Sequence, residues 1–272
     1  MMRSLWTAAS GMTSQQQNVD VISNNLANVN TYGYKKERLE FKSLLYETMK
    51  RADRDPANPV GRPVNLQVGH GVRPIATSRI FTNGNLQITD NMLDFAIEGK
   101  GFFAVQRGDM VAYSRDGAFK ISVNEDGTIG IVTAEGLPIL DTNGDPIELP
   151  DDIAFDRVIV ETNGQFMYMD NDNQLLNLGV AVELVQFSNP QGLEAIGQNL
   201  YAITPASGEA ISESTGETLT TSRLRQGAIE MSNVQIAEEM INLIVAQRAY
   251  ELNSRSISTS DDMLNTANNL KR

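Results

Sequence analysis

Apolar residues in the first thirty positions recur at a helical spacing. Taken as a heptad from Leu5, the a and d positions are Leu5, Ala8, Met12, Gln15, Val19, Ile22, Leu26 and Val29, and all but Gln15 are apolar. A 3–4 spacing kept over about four heptads predicts a helix whose narrow seam pairs with a second helix in coiled-coil fashion. Gly11 interrupts it at a cost of about 1 kcal/mol relative to Ala. The pattern stops near Asn30, where Tyr32-Gly33 supplies a C-terminal signal. A second short pattern, Phe41, Leu44, Leu45 and Met49, predicts a connecting helix.

The other end carries a matching signal. Ser232 and Gln235 form an S-x-x-Q capping box, with Met231 and Ile236 in the staple positions. Apolar residues then recur at Val234, Ala237, Ile241, Ile244, Val245, Ala249 and Leu252, and Ile236, Met240 and Leu243 widen the stripe. A stripe of that width predicts contact with more than one neighbour. The pattern thins at 254–262 and returns at Met263, Leu264, Ala267 and Leu270; as one helix, 232–270 spans roughly 58 Å.

Between the ends the periodicity changes to that of β structure. Asn83-Gly84, Asp116-Gly117, Asp126-Gly127, Asn143-Gly144 and Asn163-Gly164 punctuate short apolar or alternating runs such as Gly101–Val105, Val158–Val160 and Val180–Phe187. Strands separated by such dipeptides predict antiparallel hairpins. All nine prolines lie between Pro56 and Pro205, four of them within 51–74, so that stretch reads as an extended arm. Residues 205–222, rich in Ser, Thr, Gly and Glu, read as a mobile loop. The expected fold class is α+β, with paired N- and C-terminal coiled-coil-like helices and a central, mainly antiparallel β domain. The expected domains are 1–35 with 231–272 (helical), 36–72 (connecting helix and arm) and 73–230 (β).

Charge follows the same division. The chain of 272 residues has 22 Lys and Arg against 34 Asp and Glu, a net charge of −12. The first 50 residues sum to +2 and residues 226–272 to −2, so the whole excess lies in the middle. Such an acidic chain is a poor ligand for nucleic acid or an anionic membrane. The N-terminus lacks the apolar run and cleavage site of a secretory signal, and no run approaches the ~18 apolar residues of a membrane span.

The absence of cysteine excludes disulfides and thiolate chemistry, and the single histidine, His70, excludes multi-histidine metal sites. His70 lies in VGHGV without a nucleophile or carboxylate beside it in sequence, and reads as a loop histidine. Asp141, Asn143 and Asp145 alternate as in a calcium loop, but Pro146 stands where an EF-hand needs Gly, so 141–152 and the acidic run 170–173 read as turns. Gly99 and Gly101 precede FFAV, a strand, whereas a dinucleotide fingerprint needs a helix. No pair of carboxylates stands out for glycoside chemistry. No catalytic residue, cofactor or metal is expected. On these residues a self-assembling structural subunit, a monomeric binding module and an enzyme all stay open, in that order.

Longer strings narrow the choice. MMRSLWTAASGMTSQQQ with NNLANVNTYGYKK (24–36) resembles the N-terminal signature of the bacterial flagellar rod and hook proteins, and residues 232–264 resemble that family's C-terminal signature. Residues 63–105, 112–121 and 192–204 are similar to its middle. The arm at 46–74 and the chain length resemble rod members and not hook members.

The resemblance implies that the terminal helices form an inner tube around an export channel, with the β domain outside. It implies a self-assembly seam of Leu5, Met12, Val19, Ile22, Leu26, Val29, Val234, Ala237, Ile241, Ile244, Val245 and Leu252. The signature residues that carry over are Asn24, Asn25, Leu26, Ala27, Asn28, Gly33, Lys35, Gln247, Arg248, Ala249, Tyr250 and Asn253. The implied partners are further copies of the chain in a helical polymer, the proximal-rod proteins, hook-side axial proteins and the surrounding ring bushings, without nucleic acid or membrane insertion. The implied location is a basal-body rod crossing the periplasm, reached by export without a cleaved signal. Asp90, Asp94, Asp141, Asp151 and Asp152 are expected on a smooth acidic exterior.

Overall fold

The computed structural model describes residues 2–52, 64–123, 128–149, 157–170, 174–214 and 221–270. The chain forms two compact units: 1–27 with 37–78 and 235–272, and 28–36 with 79–234.

In the first unit, α1 (Met2–Ala27) packs against α2 (Ile236–Asn269). The pairing is antiparallel. Ser4 Oγ lies 3.4 Å from Ser260 Oγ, a Cβ on Gly11 would stand 2.8 Å from Asn253 Nδ2, and Asn25 Nδ2 donates to Glu239 Oε2 at 3.1 Å. The register advances one residue for one along both helices. Close approach is the reason for Gly11: its poor helix propensity is offset by the space it leaves for Asn253. On α1, Ala8 and Ile22 are buried, with Leu5, Met12, Val19 and Leu26 half-buried. On α2 the packed side is Glu239, Leu243, Ala246, Asn253, Ile257, Ser260 and Leu264.

The helix limits differ from expectation at both ends. α1 stops at Ala27, so Val29 lies in a turn in which Thr31 N donates to Asn28 O and Thr31 Oγ1 contacts Asn28 Oδ1. Asparagine and threonine side chains compete there with the helical ladder. α2 begins at Ile236, with Gln235 as an N-cap that makes no side-chain capping bond. Ser232 Oγ instead accepts from Val234 N, two residues on, so the capping box and its staple are not formed and Val234 lies outside the helix. The neighbouring Asn233 explains this: its amide donates to Ile80 O and Thr82 O and accepts from Lys36 N, which holds 232–234 outside the helix.

The connecting helix is also absent. Residues 37–50 form β1 (Glu37–Ser43) and β2 (Tyr46–Lys50), paired with β4 (Val72–Arg79) and β3 (Leu66–Gly69) respectively. Leu39 and Phe41 alternate with Arg38, Glu40 and Lys42, a period of two that outweighs the 3–4 spacing of Phe41, Leu44, Leu45 and Met49. Residues 53–63 of the expected arm lie outside the described residues.

The second unit is antiparallel β structure throughout its described pairings. It opens with β5 (Leu86–Ile88), β6 (Phe95–Glu98), β7 (Phe102–Arg107), β8 (Met110–Ser114), β9 (Lys120–Val123), β10 (Ile129–Val132) and β11 (Glu148–Leu149). There follow β12 (Val158–Val160), β13 (Gln165–Met169), β14 (Leu175–Ala181), β15 (Leu184–Gln186), β16 (Glu194–Gly197), β17 (Leu200–Ala202), β18 (Ile211–Ser212), β19 (Arg223–Gln226) and β20 (Ala228–Glu230). The largest sheet has the order β16-β17-β8-β7-β15-β18, and β11-β10-β9 and β12-β13-β14 form three-stranded sheets. β19 pairs with β6 and β20 with β5, so the end of the unit returns to its beginning.

β7 explains why GFFAV reads as an unbroken apolar run. Alternate residues point to opposite faces, and each face of this strand meets a core. Phe103 joins Phe95, Phe119, Ile131 and Phe166, while Phe102 and Ala104 join Tyr113, Phe187 and Tyr201. The rings meet edge to face, Phe103 with Phe119 at 5.0 Å and Phe102 with Phe187 at 5.4 Å.

Asn163-Gly164 closes the β12–β13 hairpin and Asn143-Gly144 closes a turn, whereas Asn83-Gly84 and Asp116-Gly117 lie between strands that do not pair with each other. Asp126-Gly127 lies outside the described residues. The run read as a mobile loop contains β18 and a turn fastened by Ser207 Oγ donating to Thr204 O at 2.8 Å; 215–220 lie outside the described residues.

The acidic exterior needs correction at two positions. Asp94 and Asp141 are buried acceptors. Asp94 takes bonds from Thr89 Oγ1 at 2.7 Å and Asn91 Nδ2 at 2.9 Å. Asp141 takes them from Thr142 N at 2.6 Å, Ala181 N at 2.9 Å and Asn143 Nδ2 at 3.0 Å, which makes the calcium-like segment a fastened turn. Asp151 and Asp152 lie outside the described residues, and Asp90 is exposed. Reversing these charges therefore gives opposite results. Asp90→Lys should change stability by less than about 0.5 kcal/mol, whereas Asp94→Lys, which strands a buried cation among unmatched donors, should cost about 3 kcal/mol or more. Urea unfolding of the two variants side by side measures the difference.

Candidate assembly interface

Two sets of residues stand out, one in each unit. In the β unit, the segment 28–36 is pinned by a buried ionic cluster. Lys35 Nζ donates to Glu230 Oε1 at 2.6 Å and to Thr82 O at 2.9 Å. Arg115 Nη1 donates to Glu230 Oε2 at 3.4 Å and Nη2 to Gly99 O at 2.9 Å. Gly84 N adds a further bond to Glu230 Oε1 at 2.8 Å, and the Phe102 ring lies 4.9 Å from the Arg115 guanidinium. All three charged side chains are almost wholly excluded from solvent.

The cluster holds two cations and one carboxylate. Its electrostatics are therefore not those of a simple pair. Burial pushes the Lys35 ammonium down from its ordinary 10.5 to about 8, against the pull of Glu230 and with the added repulsion of Arg115. Burial also lowers Arg115, again opposed by Glu230. Gly33 completes the junction. Its N–H donates to Glu230 O at 2.9 Å, its φ is +65°, and an added Cβ would fall 2.6 Å from the Arg115 backbone carbon. Only glycine meets both demands.

Of the signature residues, Gly33 and Lys35 thus converge in this junction, with Asn28 half-buried nearby in the chain. Arg115 and Glu230 were not singled out from the sequence. Their signal is a charged residue inside a run whose neighbours, Tyr113 and Phe119 or Ala228 and Ile229, are core residues.

In the helical unit, Asn25 is buried and makes a two-way bond with the first residue of β1: its Nδ2 donates to Glu37 O at 2.8 Å and its Oδ1 accepts from Glu37 N at 2.9 Å. Its further bond to Glu239 joins the end of α1 to the first turn of α2, where a carboxylate also suits the helix dipole. Leu26 is half-buried, and Asn24 and Ala27 are exposed. On α2, Ala249 and Asn253 are half-buried, Gln247 is exposed, and Arg248 pairs with Glu251 at 2.9 Å. Tyr250 lines a groove of about 370 Å³ with Val19, Gln16, Gln247 and Glu251.

The seam residues separate into three groups. Leu5, Met12, Val19, Ile22 and Leu26 share the packed side of α1. Ala237, Ile241, Ile244, Val245 and Leu252 lie on the solvent side of α2; Ile241 is 62% exposed, Val245 61% and Leu252 63%. Val29 and Val234 belong to the β unit. α2 therefore meets α1 through Leu243, Ile257 and Leu264 together with small and polar residues, and presents a second set of branched apolar residues to solvent.

No group of three or more His, Cys, Asp or Glu side chains converges among the described residues, and no helix is long and apolar enough to cross a membrane. His70, 47% exposed at the side chain, contacts Leu45 O through Nδ1 at 3.1 Å and Glu47 at 3.7 Å.

Three protein-family descriptions match the chain: "Flagella basal body rod protein" over residues 5–35, "Flagellar hook protein FlgE/F/G D1 domain" over 96–168, and "Flagellar basal body rod FlgEFG protein C-terminal" over 225–270. The first contains Lys35, the second Arg115 and the third Glu230. Among characterised proteins, the chain is 48% identical over 274 residues to the "Flagellar basal-body rod protein FlgG" of Borreliella burgdorferi, with 100% of both chains covered. It is 36% identical over 272 residues to the protein of the same description from Bacillus subtilis, again with 100% of both covered. The "Flagellar hook-basal body complex protein FlhP" of that organism is 35% identical over 279 residues, with 100% of both covered.

The ionic cluster predicts unequal consequences for its members. Glu230→Gln leaves two buried cations without a counter-charge and should cost about 3–5 kcal/mol. Lys35→Met leaves Arg115 and Glu230 matched one to one and should cost less. The lysine also sets a pH dependence. Between pH about 8 and 10.5 the unfolded chain holds the Lys35 proton and the folded chain does not, so this residue makes stability rise with pH across that window. The melting temperature of the wild type should gain on that of Lys35→Met between pH 7.5 and 10 (roughly the window set by the shift); a constant difference would refute the assignment.

Proposed function

The chain belongs to the flagellar basal-body rod protein family, and from that premise we propose that it is a subunit of the distal rod that polymerises with copies of itself into a helical tube. It is a structural protein of the flagellar basal body and not an enzyme. In this reading α1 and α2 of many copies form a coiled-coil tube around the export channel, and torque from the motor passes to the hook through their repeated contacts. The partners are further copies of the chain, the proximal-rod proteins below, the hook-side axial proteins above and the ring bushings around the shaft. The rod crosses the periplasm, and its subunits arrive as unfolded chains without a cleaved signal.

One observation carries this reading. The solvent side of α2 holds Ile241, Ile244, Val245 and Leu252, while the side toward α1 is already filled. Each branched apolar side chain gains about 1.5–3 kcal/mol on full burial. A helix that packs Leu243, Ile257 and Leu264 toward its intramolecular partner and still carries a second apolar set on its outer side has surface left for neighbours. A head-to-tail contact that does not close on itself then gives a helical polymer. A second reading, a proximal-rod paralogue, rests on the near-equal identity to two differently described Bacillus subtilis proteins. Labelling of the chain in purified basal bodies decides between them: signal at the hook end supports the distal rod, and signal at the membrane end the proximal rod.

Ile241→Asp and Val245→Asp should leave the isolated chain within about 0.5 kcal/mol of wild type, as exposed substitutions do, yet abolish incorporation into rods and swimming. Leu26→Asp should abolish incorporation too. Normal rods with any of the three would count against the tube. Limited proteolysis of the monomer should remove both helices before the β unit is cut.

A further inference from the structure

The helical unit carries an exposed aromatic and, elsewhere on the same helix pair, a groove suited to hold one. Trp6 is the chain's single tryptophan and is 75% exposed on α1, where it forms a shallow hollow with Leu5 and Ala9. Tryptophan gives the largest apolar burial of any side chain together with one N–H donor, and it is enriched among the residues that dominate interfaces.

The groove lies further along α1. Its bed is apolar, from Val19 and the Tyr250 ring, and its rim carries acceptors in Gln16, Gln247 and Glu251. Its volume of about 370 Å³ admits a bicyclic ring. An indole needs such a bed for its faces and an acceptor for its N–H. Arg248, bonded to Glu251 at 2.9 Å, is the one cation bonded to the rim carboxylate among the described residues.

Trp6 and the groove are about 15–20 Å apart along the axis of α1 at 1.5 Å per residue. No chain can therefore fill its own groove. A projection and its receptor at separate places on one rigid pair give a heterologous contact, which propagates from copy to copy. Resting on the reading of the chain as a rod subunit, we propose that Trp6 of one copy inserts into the Val19–Tyr250 groove of the next, fixing the axial stagger between neighbours.

The absence of cysteine makes the test direct. Ala9→Cys, beside Trp6, and Gln247→Cys, on the groove, are introduced together in the full-length chain. Within one copy, the antiparallel register separates these positions by about 12 Å along the axis, beyond the ~7 Å limit for a disulfide between Cα atoms. Mild oxidation of purified basal bodies should therefore yield a ladder of cross-linked multimers, and Trp6→Ala on the same background should reduce it at least tenfold. Rods that assemble without the ladder overturn this contact and leave the rod reading standing. A wild-type chain absent from purified rods overturns that reading itself. A benzophenone amino acid at position 6, which keeps an aromatic there, gives a second readout if the cysteine pair does not assemble. An adduct to the 247–251 peptide of a second copy supports the insertion, and an adduct to any other peptide or protein overturns it.

Discussion

A single carboxylate, Glu230, holds together the β unit's most distant pieces of chain. It binds the ammonium of Lys35, the guanidinium of Arg115 and the backbone N–H of Gly84, while its own carbonyl takes the N–H of Gly33. Removing three charges from water costs several kcal/mol per ion, and the bonds within the cluster offset that cost in part, since two cations share one carboxylate. Matching of this kind is directional in a way that apolar contact is not. Hydrophobic cores accept sliding and repacking; an ammonium 2.6 Å from one carboxylate oxygen does not. The junction through which both ends of the chain enter and leave the β unit is thus fixed by the interaction least tolerant of displacement.

The helical unit follows the opposite rule. Its internal seam joins Leu5, Met12, Val19, Ile22 and Leu26 of α1 to Leu243, Ile257 and Leu264 of α2, with Gly11, Ala246, Ser260, Asn25 and Asn253 allowing close approach and adding hydrogen bonds. A further apolar set, Trp6, Ile241, Val245 and Leu252 among them, faces solvent.

Much of this was legible in the residues. The heptad from Leu5 to Leu26 marks the packed side of α1, and the FFAV run marks a strand with a core on each face. The Asn163-Gly164 hairpin was equally plain. The failures share a cause. Ser232 and Gln235 have the spacing of a capping box, but Asn233 is engaged by Ile80, Thr82 and Lys36, residues roughly 150 to 200 positions away in the chain. Phe41, Leu44, Leu45 and Met49 have helical spacing, but β3 and β4 supply pairing partners that local pattern cannot reveal. Asp94 and Asp141 look like surface charge until their donors are counted. At the candidate interface, the wide stripe on α2 signalled more than one neighbour. Which side would face α1 depended on Glu239, Asn253 and Ser260, which no hydrophobic pattern selects.

The bond between Lys35 and Glu230 spans 195 residues of sequence. Loops of that length close late, because their entropy must be lost before their contacts form. A chain that emerges N-terminus first presents Lys35 long before its acceptor exists. Until residue 230 is free, Lys35 and Arg115 lack the carboxylate that both of them bind, and the first segment is held to the β unit through its bonds to Ile80, Thr82 and Asn199. The subunit thus carries its own delay: this bond, and those of Asn233 to Lys36, Ile80 and Thr82, wait for nearly the whole polypeptide.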